Sequence, residues 1–227
     1  MRNIIIGDVH GCCDTLNRLI HLVAPASGDR LIFLGDLFDR GPDSYGVLET
    51  VMELEQRFGE DFILLRGNHE DYLLARRLTL QQRWVWDMVG RGATVRSFKS
   101  HGAKMEDARP WLEAHARLYY RGEGFQCVDA GLLVHPPEDN DRETLLHDHD
   151  VVRQNAYRGP LTVVGHIALP VPTYFPGDGE TTAQLEYGVT AQLPDTGVIC
   201  VDTGCGKGGQ LTAMIIEGRR YRLECVL

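Results

Sequence analysis

The chain has 227 residues, of which 43% are hydrophobic, so it can bury a sizeable core as one α/β domain. Its 32 acidic and 23 basic residues give a formal net charge of −9. That charge argues against broad binding to nucleic acid, because such binding neutralises phosphates with lysine and arginine. We therefore expect no nucleic-acid partner, although a few local arginines suffice for a small phosphorylated substrate.

The sequence predicts a cytoplasmic protein with no membrane partner. Only three consecutive isoleucines precede Gly7, too few for the apolar part of a secretory signal. No run approaches the roughly 20 apolar residues of a membrane span. The six cysteines form no C-x-x-C pair, so we expect reduced thiols.

The N-terminal part alternates buried strands with helices. We predict strands over 3–6, 31–34 and 62–65, and helices over 14–23, 44–58 and 70–77, with Ser44 as an N-cap. Apolar strands that alternate with helices predict a central sheet covered on both faces. Ligands of such sheets collect at the carboxyl ends of the strands.

The remainder of the chain predicts a cap and further strands. Residues 78–118 contain all three tryptophans and predict a small helical cap within a single domain of residues 1–227. We predict strands over 119–129, 161–165, 198–202, 211–216 and 221–226, and an irregular loop over 169–197.

Acidic residues and histidines follow the predicted strands directly. Asp8 and His10 follow the first strand, Asp36 the second, Asn68 the third, and His166 the strand over 161–165. Mixed carboxylate and imidazole donors suit Mn, Fe or Zn better than Ca. Two such ions, bridged best by Asp36, clamp the attacking and leaving oxygens of a phosphoryl group. The motifs therefore predict a binuclear metal centre that hydrolyses phosphate esters.

Three further residues extend this prediction. Arg40 lies four residues after Asp36, and its guanidinium can bind phosphate oxygens bidentately. His69 adjoins Asn68 and can protonate the leaving oxygen, with Asp39 fixing its tautomer or raising its pKa. The structural alternatives are a surface salt bridge for Arg40 and a plain hydrogen bond for His69 with Asp39.

Three segments carry a resemblance to a known family. Residues 7–11, 35–41 and 66–70 resemble the signature blocks of calcineurin-like metallophosphoesterases, within them the bacterial and phage phosphoprotein phosphatases, close to diadenosine tetraphosphate hydrolases. Residues 86–98 and 201–213 resemble two later stretches of that family. The resemblance implies a four-layer sandwich of two mixed sheets flanked by helices. It also implies Asp8, His10 and Asp36 on one ion, and Asp36, Asn68 and His166 on the other.

One segment departs from the family pattern. Where the family has Val-His-Ala-Gly, this chain has Asp129 in place of the histidine ligand. We expect Asp129, rather than His135, to complete the second site, and its added charge favours Mn or Mg over softer ions. The family also implies a second phosphate-binding arginine before His166. Arg153 fits best by position, and Arg142 and Arg158 lie in the same interval.

The sequence leaves three functions open. The preferred one is a phosphoprotein phosphatase acting on serine or threonine, with dual specificity as an extension. The second is a dinucleoside polyphosphate hydrolase, for which the cap would supply an aromatic slot and a basic tract from Trp84, Trp86, Arg83, Arg91 and Arg96. The third is a binding module whose second metal site Asp129 has impaired.

Overall fold

The computed structural model describes residues 1–227 and contains 13 strands and eight α-helices. The strands are β1 (Arg2–Ile6), β2 (Arg30–Phe33), β3 (Phe62–Leu65), β4 (Ala116–Arg117), β5 (Tyr119–Gly122), β6 (Phe125–Val128), β7 (Thr162–Val164), β8 (Thr173–Phe175), β9 (Ala183–Gln184), β10 (Ala191–Gln192), β11 (Val198–Cys200), β12 (Leu211–Glu217) and β13 (Arg220–Val226). The helices are α1 (Cys13–Val23), α2 (Ser44–Phe58), α3 (Asn68–Leu74), α4 (Leu80–Met88), α5 (Arg91–Ser100), α6 (Arg109–His115), α7 (Arg142–His147) and α8 (Asp150–Arg153).

The strands form two mixed sheets. The first has the order β10-β13-β12-β1-β2-β3-β4, in which β1 to β4 are parallel and β12 is antiparallel to β1. The second has the order β5-β6-β7-β11-β8-β9, in which β6, β7 and β11 are parallel. The parallel strands therefore extend to one edge of the first sheet and occupy the middle of the second.

Side-chain alternation along the strands produces the layers. Ile5 lies in a core between the two sheets, together with Val163 of the second sheet. Ile4 points the other way, into a core that α1 and α2 share with the outer face of the first sheet. Val164 packs against Leu145 of α7 in a third core. These three cores separate four layers, as the resemblance implied.

Several predicted elements match the structure, and the predicted N-cap of α2 is wrong by one residue. The bounds of α2 and β3 are as predicted. The side chain of Asp43, not of Ser44, accepts the N–H of Gly46 at 3.0 Å. The Ser44 hydroxyl lies instead 3.0 Å from the Thr94 hydroxyl, so tertiary contact decides its role.

Other predicted elements differ in extent. Helix α3 begins at Asn68 and ends at Leu74, earlier than predicted at both ends. Residues 119–129 form the hairpin of β5 and β6 rather than one strand, because the chain turns at Glu123-Gly124. The predicted loop over 169–197 contains β8, β9 and β10. Residues 78–118 hold α4, α5 and α6, but the predicted helical segment ends early, because residues 116–117 form β4 and pair with β3. No helix of the chain has the length and apolar character needed to cross a membrane.

Candidate metal centre

The carboxyl ends of parallel strands from both sheets meet at one place. Asp8, Asp36 and Asn68 follow β1, β2 and β3, whereas Asp129 and His166 follow β6 and β7 of the second sheet. The ligand atoms of Asp36, Asp129 and His166 lie within 4.8 Å of one another. A second cluster of the same tightness consists of His10, Asp36 and His69. Asp36 thus lies at the junction of two clusters, where a bridging ligand was predicted.

Left-handed backbone conformations aim these side chains inward. His10, Asp36 and His166 have φ angles of 47°, 49° and 65°, and those of Asp39 and Arg40 are 70° and 67°. Such angles cost a non-glycine residue roughly 1–2 kcal/mol, so the surrounding fold must hold them in place.

Gly165 allows the two sheets to approach closely at the centre. A Cβ atom at this position would collide with the Asp8 carboxylate. Without it, Asp8 accepts the N–H of His166 at 3.0 Å. The predicted close approach of the backbone at Gly165 is present.

The residues of the centre fit divalent metal ions. Buried side-chain atoms that should accept or donate a hydrogen bond have no partner at Asn68 Oδ1, Asp129 Oδ1 and both ring nitrogens of His166. Burial and the nearby charges of Asp202 and Asp36 raise the pKa of Asp8, and burial with the charges of Asp36 and Asp8 raises the pKa of Asp129. Crowded carboxylates with unpaired donor atoms are stabilised by cations.

Glu70 ties together the loops that follow β2 and β3. Its Oε2 accepts the N–H groups of Asp36 at 2.7 Å and Gly67 at 2.9 Å, and its Oε1 accepts that of Leu37 at 2.9 Å. Burial and the charge of Asp36 raise the pKa of Glu70 to about 7. Glu70 therefore fixes the backbone on which Asp36 and Asn68 stand.

His69 and Asp39 form a buried pair oriented by the helices of residues 78–118. His69 Nδ1 lies 2.7 Å from Asp39 Oδ2, which also accepts from Trp86 Nε1 at 2.7 Å. Thr94 Oγ1 donates to the other carboxylate oxygen at 2.6 Å. Burial alone would lower the pKa of His69, but the charge of Asp36 and the hydrogen bond with Asp39 outweigh it and raise that pKa. The sequence did not predict that Trp86 and Thr94 orient Asp39, although both residues lie in the 86–98 stretch that resembles the family.

Arg40 reaches the centre from the loop after β2. Its NH2 group lies 3.3 Å from His69 Nε2, and its NH1 group contacts His10 Nε2. The rings of His10 and His69 are 4.7 Å apart. The half-buried guanidinium therefore lies beside both histidines, at the edge of the centre.

Asp129, and not His135, lies at the centre. Asp129 Oδ2 is 3.6 Å from His166 Nδ1, and it accepts the N–H of Asn68 at 3.3 Å. His135 Nδ1 instead lies 3.2 Å from the side-chain oxygen of Gln126.

The three candidate arginines do not contact residues of the centre. Arg153 is exposed on α8 and makes no side-chain hydrogen bond or ion pair, so its phosphate-binding role stays a prediction. Arg142 pairs with Asp71, and Arg158 donates to the carbonyl of Gly177 at 2.7 Å. The side chain from this interval that does reach the centre is His149, whose ring lies 4.7 Å from that of His166.

Asp202 belongs to the same group of strand ends and escaped the sequence analysis. It follows β11, is 1% exposed, and its Oδ2 has no hydrogen-bond partner. Asp202 could have been predicted as a site residue, because it lies at the end of the predicted strand over 198–202.

The proposed aromatic slot of the cap takes a different form. Trp86 is buried and engaged with Asp39, whereas Trp84 is 64% exposed. Arg91 lies over the Trp86 ring at 5.0 Å and pairs with Asp87. Trp86 therefore orients Asp39 and also belongs to the core that α1 and α2 share with the first sheet.

Comparisons with known proteins agree on the fold and the family. A family model described as calcineurin-like phosphoesterase matches residues 1–194. The symmetrical bis(5'-nucleosyl)-tetraphosphatase of Coxiella burnetii is 31% identical over 188 residues, which cover 81% of this chain and 59% of that protein. The protein of the same name from Pseudomonas fluorescens is 24% identical, over 99% of this chain and 95% of its own length. A metallophosphoesterase structure from Sphaerobacter thermophilus superposes with a TM-score of 0.66 at 17% identity, covering 100% of this chain and 89% of that one.

Proposed function

Because the chain belongs to the calcineurin-like phosphoesterase family, we propose that it hydrolyses dinucleoside polyphosphates at a centre of two divalent metal ions. The observation that carries the proposal is the pair of ligand clusters that share Asp36 at the strand ends. The relatives named tetraphosphatases favour this substrate over the phosphoprotein preferred by the sequence analysis. The chain aligns with only 59% of the length of the Coxiella protein, so the substrate is a proposal for this chain.

The proposed metal-binding roles combine the two clusters with the ligand set that the resemblance implies, which adds Asp8 and Asn68 and leaves His69 as the proton donor. Asp8, His10 and Asp36 would hold one ion, and Asp36, Asn68, Asp129 and His166 the other. The ions, when bound, acidify water and offset the charge of the phosphoryl oxygens. The carboxylates of Asp8, Asp36 and Asp129 favour a hard ion such as Mn.

Arg40 would bind the phosphoryl group that is attacked. Its guanidinium lies beside His10 and His69 and has the planar donor geometry that matches phosphate oxygens. Binding the phosphate would draw Arg40 away from the two imidazoles and onto oxygens of opposite charge.

His69 would donate a proton to the leaving oxygen. Its Nδ1 is held by Asp39, which leaves Nε2 facing Arg40 and the centre. The raised pKa of His69 keeps the imidazole protonated at higher pH than an ordinary histidine. Asp39, held in turn by Trp86 and Thr94, keeps the ring in this orientation.

We also propose that the protein is cytoplasmic. All six cysteines are free thiols, which reducing compartments maintain.

The test is substrate competition on metal-reconstituted protein. Metal-stripped chain is titrated with Mn and assayed on diadenosine tetraphosphate and on a phosphoserine peptide, with products separated by chromatography. We expect activity to appear at two equivalents of metal and to favour the dinucleotide, yielding two nucleoside diphosphates. Turnover of the phosphoserine peptide alone would indicate a phosphoprotein phosphatase instead. Binding of one equivalent of metal without turnover of either substrate would indicate a binding module.

A further inference from the structure

A cavity of about 660 Å³ rich in arginine lies along α3, the helix that begins with Asn68 and His69. Its size is typical of sites for small molecules. We call it the arginine cavity, and its charged lining consists of Arg66, Arg76, Arg77 and Arg142 with Asp71 and Glu143. Arginines thus outnumber carboxylates in a protein whose net charge is −9, so the positive charge is concentrated locally.

Half of the arginines in this lining have no ion-pair partner. Asp71 is shared by two guanidinium groups, with Arg66 Nε at 2.9 Å and Arg142 also in contact. Arg76 and Arg77 lie just after the end of α3, are exposed, and make no side-chain hydrogen bond or ion pair. Guanidinium groups placed in this way match the geometry of phosphate oxygens.

Tyr72 connects the arginine cavity to the proposed proton donor. It lines the cavity one helical turn after His69, and the two rings are 6.4 Å apart. His147 also lines the cavity, and its ring lies 6.1 Å from that of Tyr72. The Tyr72 ring therefore lies between a cavity wall and the ring of His69, so a leaving group released beside His69 is within one side chain of the arginine cavity.

The positive surface continues beyond the cavity. An adjoining hollow of about 410 Å³ shares Tyr72, Arg76 and Arg77 with it and adds Arg83 and Arg91. The combined surface suits an extended chain of phosphates better than a single phosphoryl group.

We propose that the arginine cavity binds the leaving half of the substrate, a nucleoside polyphosphate, through Arg76 and Arg77. This inference rests on the proposed function. In the reaction, the oxygen of water bonds to phosphorus, one proton of that water passes to the solvent, and the bridging P–O bond breaks. The leaving diphosphate keeps the electron pair of that bond and takes a proton from His69. The arginine cavity then holds the added negative charge of the leaving chain, a charge that a phosphate monoester does not carry.

The test compares two adjacent pairs of exposed arginines. The cavity variant is Arg76→Gln with Arg77→Gln, and its matched control is Arg219→Gln with Arg220→Gln, in the turn between β12 and β13 and at its edge. Both variants remove two positive charges. Calorimetric titration of the Mn-loaded full chain with ADP and with inorganic phosphate measures binding without any need for turnover.

We expect ADP to bind the unchanged protein at least tenfold more tightly than phosphate. The cavity variant should lose about 10- to 100-fold in ADP affinity, because two solvent-exposed guanidinium groups together contribute about as much as one buried charge-assisted hydrogen bond, and less than threefold in phosphate affinity. The control should lose neither. The kcat/KM for diadenosine tetraphosphate should fall with the ADP affinity.

Three results would overturn the inference: equal affinities of the unchanged protein for ADP and phosphate, equal weakening of ADP by both variants, or equal loss of ADP and phosphate in the cavity variant. Failure of the unchanged chain to hydrolyse the dinucleotide would instead count against the proposed function. The ADP titrations would still decide whether the arginine cavity binds polyphosphate.

Discussion

Replacement of Asp39 by asparagine isolates the charge that supports His69. The amide oxygen of Asp39→Asn can take the place of Oδ2 and accept from both His69 and Trp86. The amide nitrogen then faces the Thr94 hydroxyl, which can accept from it and donate to Ser44 Oγ, 3.0 Å away. The variant should therefore fold and bind metal, and differ mainly in the lost negative charge.

The expected loss follows from the contact that is changed. A hydrogen bond with a charged partner contributes about 1.5–3 kcal/mol, which corresponds to roughly 10- to 150-fold in rate when it acts only in the transition state. Asp39 helps to raise the pKa of His69, so its removal lowers that pKa. His69 then loses its proton at a lower pH, and the alkaline limb of the rate profile moves to lower pH.

The assay is the pH dependence of kcat on two phosphate monoesters. Phosphoserine has a poor leaving group and needs the proton, whereas p-nitrophenyl phosphate has a good one and needs it less. We expect the larger loss on phosphoserine. The control is Asp87→Asn, which breaks an exposed ion pair with Arg91 and should leave the profile unchanged. An Asp39→Asn variant that retains two metal ions, keeps its alkaline limb and loses equally on both substrates would refute the acid role of His69.

Three further changes test other parts of the structure. Asp36→Asn should lose both metal ions and nearly all activity, because the residue belongs to both clusters; retention of two equivalents by elemental analysis would contradict its bridging role. Ile5→Ala should destabilise the protein by about 2–5 kcal/mol in urea unfolding, because Ile5 is fully buried between the sheets; a change below 1 kcal/mol would place it outside the core. Asp43→Ala should cost about 0.5–2 kcal/mol in the same assay, whereas Asp43→Asn retains a good cap; equal losses would remove Asp43 from the capping role.

The positions of several strand ends, and of the polar residues that follow them, could be predicted from the sequence. Continuous apolar runs fix where β1, β2 and β3 lie, and the polar residue that follows each run must then lie at the shared edge. The same rule places His166 and, had it been applied to β11, Asp202. Two sheets could not be derived from these runs alone, because a buried strand has the same pattern in either sheet.

Roles set by tertiary contact were not predictable. Ser44 has the side chain of a good N-cap, but its hydroxyl is engaged by Thr94, a residue 50 positions away. Trp86 has the character of a core residue, yet its ring nitrogen donates a hydrogen bond to Asp39. The short helices α7 and α8 gave too little periodicity to be recognised, so the placement of His149 against His166 was also missed.

The left-handed residues of the centre have a consequence for how such a sequence would drift. The chain keeps bulky or charged side chains at five positions where glycine or asparagine would be more comfortable. Asp36, Asp39 and His10 also make buried hydrogen bonds to the backbone or to side chains of the fold, whereas the side chains of Arg40 and His166 serve only the centre. A descendant that no longer catalyses the reaction should therefore acquire glycine or asparagine first at positions 40 and 166, while its sandwich core is still intact.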